Sequence, residues 1–166
     1  MNAPNLESTR SRRGTLARRV LIPLAVAFVA IQFVPYGRDH ENPPVTGSPK
    51  WDSARTEALA RRACFDCHSN ETNWPWYASV APLSWRVQSH VDEGREHLNL
   101  STFDRTQGEA HEAAEVVAEG EMPLFDYVLA HPSARLDDAE TRALIDGFTR
   151  TFGSERARRD HDDDDR

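Results

Sequence analysis

The residues of this chain that could do distinctive chemistry are Cys64, Cys67 and His68, in the run Ala63-Cys64-Phe65-Asp66-Cys67-His68-Ser69. They include both cysteines of the chain, set three apart, with a histidine directly after the second. A C-x-x-C-H spacing reads as a c-type haem attachment site. On a helix, positions i, i+3 and i+4 share one face. Two thiols so placed can each form a thioether to a porphyrin vinyl group, and the imidazole then reaches the iron as its proximal ligand. Three plainer readings compete with this one. A thioredoxin-like redox pair calls for a βαβ setting, and no strand-rich flank is visible. A zinc site needs four ligands, and no second cysteine pair exists. A structural disulfide leaves His68 without a role.

A sixth ligand for such an iron is the next question. Met122 is the only methionine besides the initiator, and it lies in Gly120-Glu121-Met122-Pro123. A thioether opposite imidazole raises a haem's reduction potential, and a loop just before a proline-started helix would hold the sulfur in place. The competing role for Met122 is to fill a gap in the core. His90, His97, His111 and His131 are the other candidate ligands. His90 and His97 are seven apart on one helix, and His131 suits a hydrogen bond at a helix end. Trp74, Trp76 and Tyr77 could pack on a haem edge or serve as ordinary core. Arg86 and Arg95 could pair with propionates or lie solvated.

The elements that must position these groups read as all-helical. Asp52 or Ser53 can cap a first helix carrying the cysteine motif to about residue 68. Pro75 excludes regular helix from the aromatic loop that follows. A second helix is expected over 82–96, with Pro82 in its first turn and Gly94 weakening its end. Ser101 with Asp104 resembles a capping box that would open a third helix running to about residue 119, stopped by Gly120. A short helix is expected over 123–130. Asp137 with Glu140 is a further capping box, starting a last helix to about residue 150 with Ala143, Leu144, Gly147 and Phe148 as its inner stripe.

The N-terminus reads as a targeting segment. Residues 1–19 carry five arginines and one glutamate, and an apolar run from 20 to 34 follows, broken only by Pro23 and Gln32. That order describes a signal sequence or a signal anchor, with the arginines in the cytoplasm and the remainder outside. An uncleaved membrane anchor over 20–36 is the expectation, although its 15-residue apolar run is short of the roughly 20 needed for a comfortable span. Residues 37–50 read as a Pro-rich linker, 51–152 as the haem-binding domain, and 153–166 as a disordered acidic tail, where His161 has no expected role. The formal net charge is −7, and the residues after 19 carry 15 basic against 26 acidic groups. An acidic body excludes nucleic acid as the expected partner and suits a basic redox partner.

Several runs together resemble a known family, the bacterial haem-binding domains. They are Cys64-Phe65-Asp66-Cys67-His68-Ser69-Asn70-Glu71-Thr72, Trp74-Pro75-Trp76-Tyr77, Pro82-Leu83-Ser84-Trp85, His90-Val91 with Gly94-Arg95, and Leu98-Asn99-Leu100-Ser101. Gly120-Glu121-Met122-Pro123, Tyr127, and His131-Pro132 before Ala134-Arg135-Leu136 continue the likeness, as does Ile31-Gln32-Phe33-Val34-Pro35 with Asn42-Pro43-Pro44. The resemblance implies a small c-type haem domain, often membrane-anchored, with Cys64, Cys67 and His68 on the haem motif and Met122 on a Met-Pro element. It supplies no reaction. The expectation is therefore an all-α, cytochrome c-like domain around one covalent haem c, preceded by an N-terminal anchor helix. Electron transfer with a periplasmic or membrane redox partner is favoured over enzymatic activity. The alternative is a haem-based sensor or peroxidase-like domain with an open sixth site, for which His90 with Arg86 is the nearest pair.

Overall fold

Local sequence rules account for most of the helices in this computed structural model, which describes residues 6–153, with side chains described from residue 17 on. Helix α1 is Leu6–Ile31, α2 Ala54–Ala63, α3 Phe65–His68, α4 Leu83–His97, α5 Ala113–Ala118, α6 Phe125–Ala130 and α7 Asp138–Phe152. The described residues form no strand; Gly47 and Thr102 make one isolated bridge. The fold class is all-α, as expected. The acidic tail and His161 lie outside the described residues, as do the side chains of Arg10, Arg12 and Arg13.

The chain divides into two units. The first holds residues up to Asp39 together with Pro75–Val87. In it, α1 carries the expected apolar run only as far as Ile31, and Val20, Leu21 and, beyond the helix, Phe33 are 52%, 63% and 82% exposed. The run remains too short, however, and no helix among the described residues is long and apolar enough to cross a membrane. The spanning helix expected over 20–36 is corrected accordingly: the helix ends at Ile31. Gln32 then pairs with a backbone position 49 residues away, donating to the Ala81 carbonyl at 2.9 Å and accepting from the Ala81 N–H at 3.0 Å.

The second unit holds His40–Trp74 and the residues from Gln88 onward. Ser53 caps α2, its hydroxyl accepting from the Thr56 N–H at 3.2 Å. The capping box of α7 forms in both directions between Asp137 and Glu140. Leu144, Gly147 and Phe148 face inward and are buried. A Cβ at Gly147 would stand 2.2 Å from the Thr56 hydroxyl oxygen, so the missing side chain is what lets α7 lie against α2. The core gathers Leu59, Ala60, Phe65, Leu98, Leu100, Val117, Leu144 and Phe148. Trp51 stacks on Phe148 at 6.4 Å beside it.

One expectation fails here for a local reason. The helix predicted from Ser101 forms only as α5, after a 3-10 turn at Ala110–Glu112. Ser101 is fully buried, and its hydroxyl accepts from the Asn70 N–H at 3.0 Å instead of capping a helix. Asn99 holds the same loop, accepting from the Ser101 N–H at 3.0 Å and donating to Asn70 Oδ1 at 2.9 Å. Polar side chains that bond backbone in this way compete with helix formation. The stretch read as a linker is drawn into the same net: Asn70 donates to the Pro44 carbonyl, and Thr46 and Gly47 donate to the Ser101 carbonyl.

Candidate functional site

The cysteine motif does not continue the first helix as expected. Cys64 departs from helical geometry at φ −123, closing α2 and opening α3. The turn is then rebuilt by the Cys64 carbonyl, which accepts from the Cys67 N–H at 3.2 Å and from the His68 N–H at 2.9 Å. The two thiols and the imidazole therefore still issue from a single helical turn, as the spacing implied.

His68 is oriented by the chain around it. Its Nδ1 lies 3.1 Å from the Leu98 carbonyl oxygen, which can only accept, so the proton sits on Nδ1 and the lone pair on Nε2. Burial pushes its pKa down, against the pull of the Leu98 and Gly94 carbonyls, and keeps the ring neutral. A neutral imidazole whose second nitrogen is fixed by a carbonyl is the arrangement of a metal-ligating histidine.

Both cysteines are free and half-buried. Burial pushes the Cys64 thiol up to about 12 and Cys67 to about 11. A dithiol redox catalyst works with a lowered thiol pKa, so the thioredoxin-like reading loses its chemistry as well as its fold. The zinc reading gains nothing: among the described residues no group of three from His, Cys, Asp and Glu could hold a metal ion.

Met122 is placed by the end of α5. The Gly120 N–H donates to Val117 and the Glu121 N–H to Val116, with Gly120 at φ +76, a Schellman turn that needs glycine. The Met122 N–H also donates to Val116, at 3.2 Å. Met122 is partly buried and packs on the core cluster that Cys64 also touches. Cys64 and Met122 thus pack against the same core cluster.

Three of the other candidate histidines have partners in the chain. His97 is exposed and paired through Nδ1 with Glu109. His111 lies 3.8 Å from Glu112. His131 makes the helix-end bond expected of it, Nδ1 to the Tyr127 carbonyl at 3.1 Å. His90 is half-buried on α4. Arg95 is a clamp on the polypeptide: it donates to the Ser69 carbonyl at 2.8 Å, the Glu41 carbonyl at 3.1 Å, and Asn42 Oδ1 and Thr72 Oγ1 at 3.0 Å each. Arg86 is exposed. Trp74 stacks on His40 at 4.8 Å. Trp76 and Tyr77 meet edge to face at 5.8 Å.

Three positions carry more than their residue types suggested. A Cβ at Gly94 would stand 2.6 Å from the Cys67 carbonyl oxygen, so α4 approaches the motif there on bare backbone. Asp66, between the cysteines, accepts from the Asn73 N–H at 3.0 Å and from the Tyr127 hydroxyl at 2.8 Å. The Leu98 carbonyl, which orients His68, is backbone and has no sequence signature. An isolated glycine inside a helical pattern was the one available signal among these.

The residues present fit a covalently held haem. Two unpaired thiols and a neutral imidazole issue from one turn, and a thioether packs on the apolar surface that one of the thiols touches. The Trp74 Nε1 donor is buried with no acceptor among the described residues. Fold and motif together define a small helical domain built around a Cys-x-x-Cys-His turn. The family model described as "Haem-binding domain" matches residues 26–150, and the chain belongs to that family. Nothing matches it among curated proteins or among solved structures.

Proposed function

We propose that this haem-binding protein is a single-haem, c-type electron-transfer protein acting on the extracytoplasmic side of a bacterial membrane. Cys64 and Cys67 would hold the porphyrin through thioethers, His68 Nε2 would ligate the iron, and Met122 would supply the sulfur opposite. Bound haem supplies one iron that gains and loses a single electron. The observation that carries the reading is the Leu98–His68 bond, which leaves the lone pair on the nitrogen an iron would need. Export follows from the arginine-rich start and the apolar run after it. A redox partner with a basic face suits the acidic body.

The chain's own residues do little acid or base work here. The Tyr127 hydroxyl is pushed far up by burial and by the charge of Asp66, and so stays protonated. Cys64 and Cys67 stay thiols before attachment, and His68 keeps a fixed tautomer. A site built to hold its groups still suits electron transfer better than catalysis of a bond-changing reaction.

The test is an absorption and magnetic circular dichroism spectrum of the protein matured in a host competent for haem attachment, beside Met122→Ala. The wild type should show a sulfur–iron charge-transfer band that the variant lacks, and its reduced form should ignore carbon monoxide. Identical spectra would remove Met122 from the iron. Rapid carbon monoxide binding by the wild type would favour a sensor or peroxidase-like role.

A further inference from the structure

We infer that Tyr127 and Asp66 form a strut that holds the Met122 loop onto the cysteine turn, which makes Tyr127 a positioning residue for the sulfur ligand. The inference rests on the axial pair proposed above.

Helix α6 follows Met122 almost directly, and it is poorly buried. None of its six residues is buried, and Phe125 and Leu129 are 82% and 67% exposed. So short a helix has no stability apart from its tertiary ties. Its ring stack, Tyr127 on His131 at 4.4 Å, is local, as is the bond from His131 to the Tyr127 carbonyl. The bond from Tyr127 to Asp66 joins residues 61 apart and carries α6 to the motif.

The receiving end is itself tied into the fold. Asp66 lies between the two cysteines in sequence, and its other carboxylate oxygen accepts from the Asn73 N–H at 3.0 Å. Its carbonyl accepts from the Thr72 hydroxyl at 2.8 Å, and Thr72 is in turn gripped by Arg95. A phenol donating to a carboxylate makes a charge-assisted bond, stronger than a neutral one. At the other end of the loop, Met122 is fixed by the turn after α5. The methionine thus sits between two attachments, and the second reaches the turn that carries Cys64, Cys67 and His68.

The experiment uses the haem-loaded protein, its Tyr127→Phe variant and its Asp66→Asn variant, which keeps an acceptor but loses the charge. Amide hydrogen exchange over residues 122–131 should accelerate about tenfold or more in Tyr127→Phe, while α2 and α7 keep their protection. The sulfur–iron band should yield to added imidazole at about tenfold lower concentration, with Asp66→Asn between the variant and the wild type. A loss of general stability would not single out this band. Wild-type exchange and wild-type imidazole titration in both variants would overturn the strut while leaving the axial pair intact. A wild type with no sulfur–iron band would overturn the axial pair, and the role assigned to Tyr127 with it.

Discussion

Gly94 and Cys67 meet backbone to backbone: a Cβ on Gly94 would stand 2.6 Å from the Cys67 carbonyl oxygen and 3.1 Å from its Cβ. The sequence suggested that this glycine weakens the end of its helix. Its effect is instead to let α4 lie directly on the turn that carries the thiols.

Gly94→Ala therefore sets two effects against each other. Alanine gains about 1 kcal/mol of helix propensity, whereas a clash with backbone that has no flexible end costs about 1–3 kcal/mol and displaces the turn. The clash should win. Chemical denaturation should show a net loss, and intact mass after denaturation should show a smaller fraction of chains carrying haem.

Arg95→Lys tests whether that side chain serves the polypeptide or the cofactor. Lysine cannot reproduce the planar fork that reaches Ser69, Glu41, Asn42 and Thr72. Loss of two or more of these bonds should lower stability by about 2 kcal/mol. The reduction potential should stay at the wild-type value. A potential shift without a stability loss would return Arg95 to the propionates.

Asp137→Ala should cost about 1 kcal/mol, since the Asp137 carboxylate accepts from both the Ala139 and Glu140 N–H groups at 2.8 Å. Thermal unfolding checks this, and the visible spectrum of the folded protein should not change.

The pair His97–Glu109 gives a pH dependence. The hydrogen bond to Glu109 raises the folded pKa of His97 above its ordinary 6.5. A raised histidine pKa adds stability that is fully present below the unfolded value and disappears as pH climbs through the folded one. Both side chains are well exposed, at 63% and 48%, so screening limits the contribution to about 0.2–1 kcal/mol. Glu109→Gln should lower the unfolding midpoint at pH 5.5 and leave it unchanged at pH 9.

What the sequence made legible was local. The Ser53 cap, the Asp137/Glu140 box, the inner stripe of α7 and the helix-end bond of His131 each depend on residues a few positions apart. So does the Cys64–His68 turn, whose hydrogen bonds span three and four residues. What stayed hidden was set by partners far along the chain. Ser101 looked like a helix cap until Asn70 claimed its hydroxyl, and no role was visible for Asp66, which Tyr127 reaches from 61 residues away. The Leu98 carbonyl that fixes His68 could not be foreseen, because backbone oxygens carry no residue identity.

The attachments made by residues 41–47 set a lower limit on any shortened version of the protein. Cutting at Trp51, where the domain seemed to begin, would strip acceptors from Arg95 and Asn70 and donors from the Ser101 carbonyl. A fragment meant to keep the loop that positions His68 should start no later than His40.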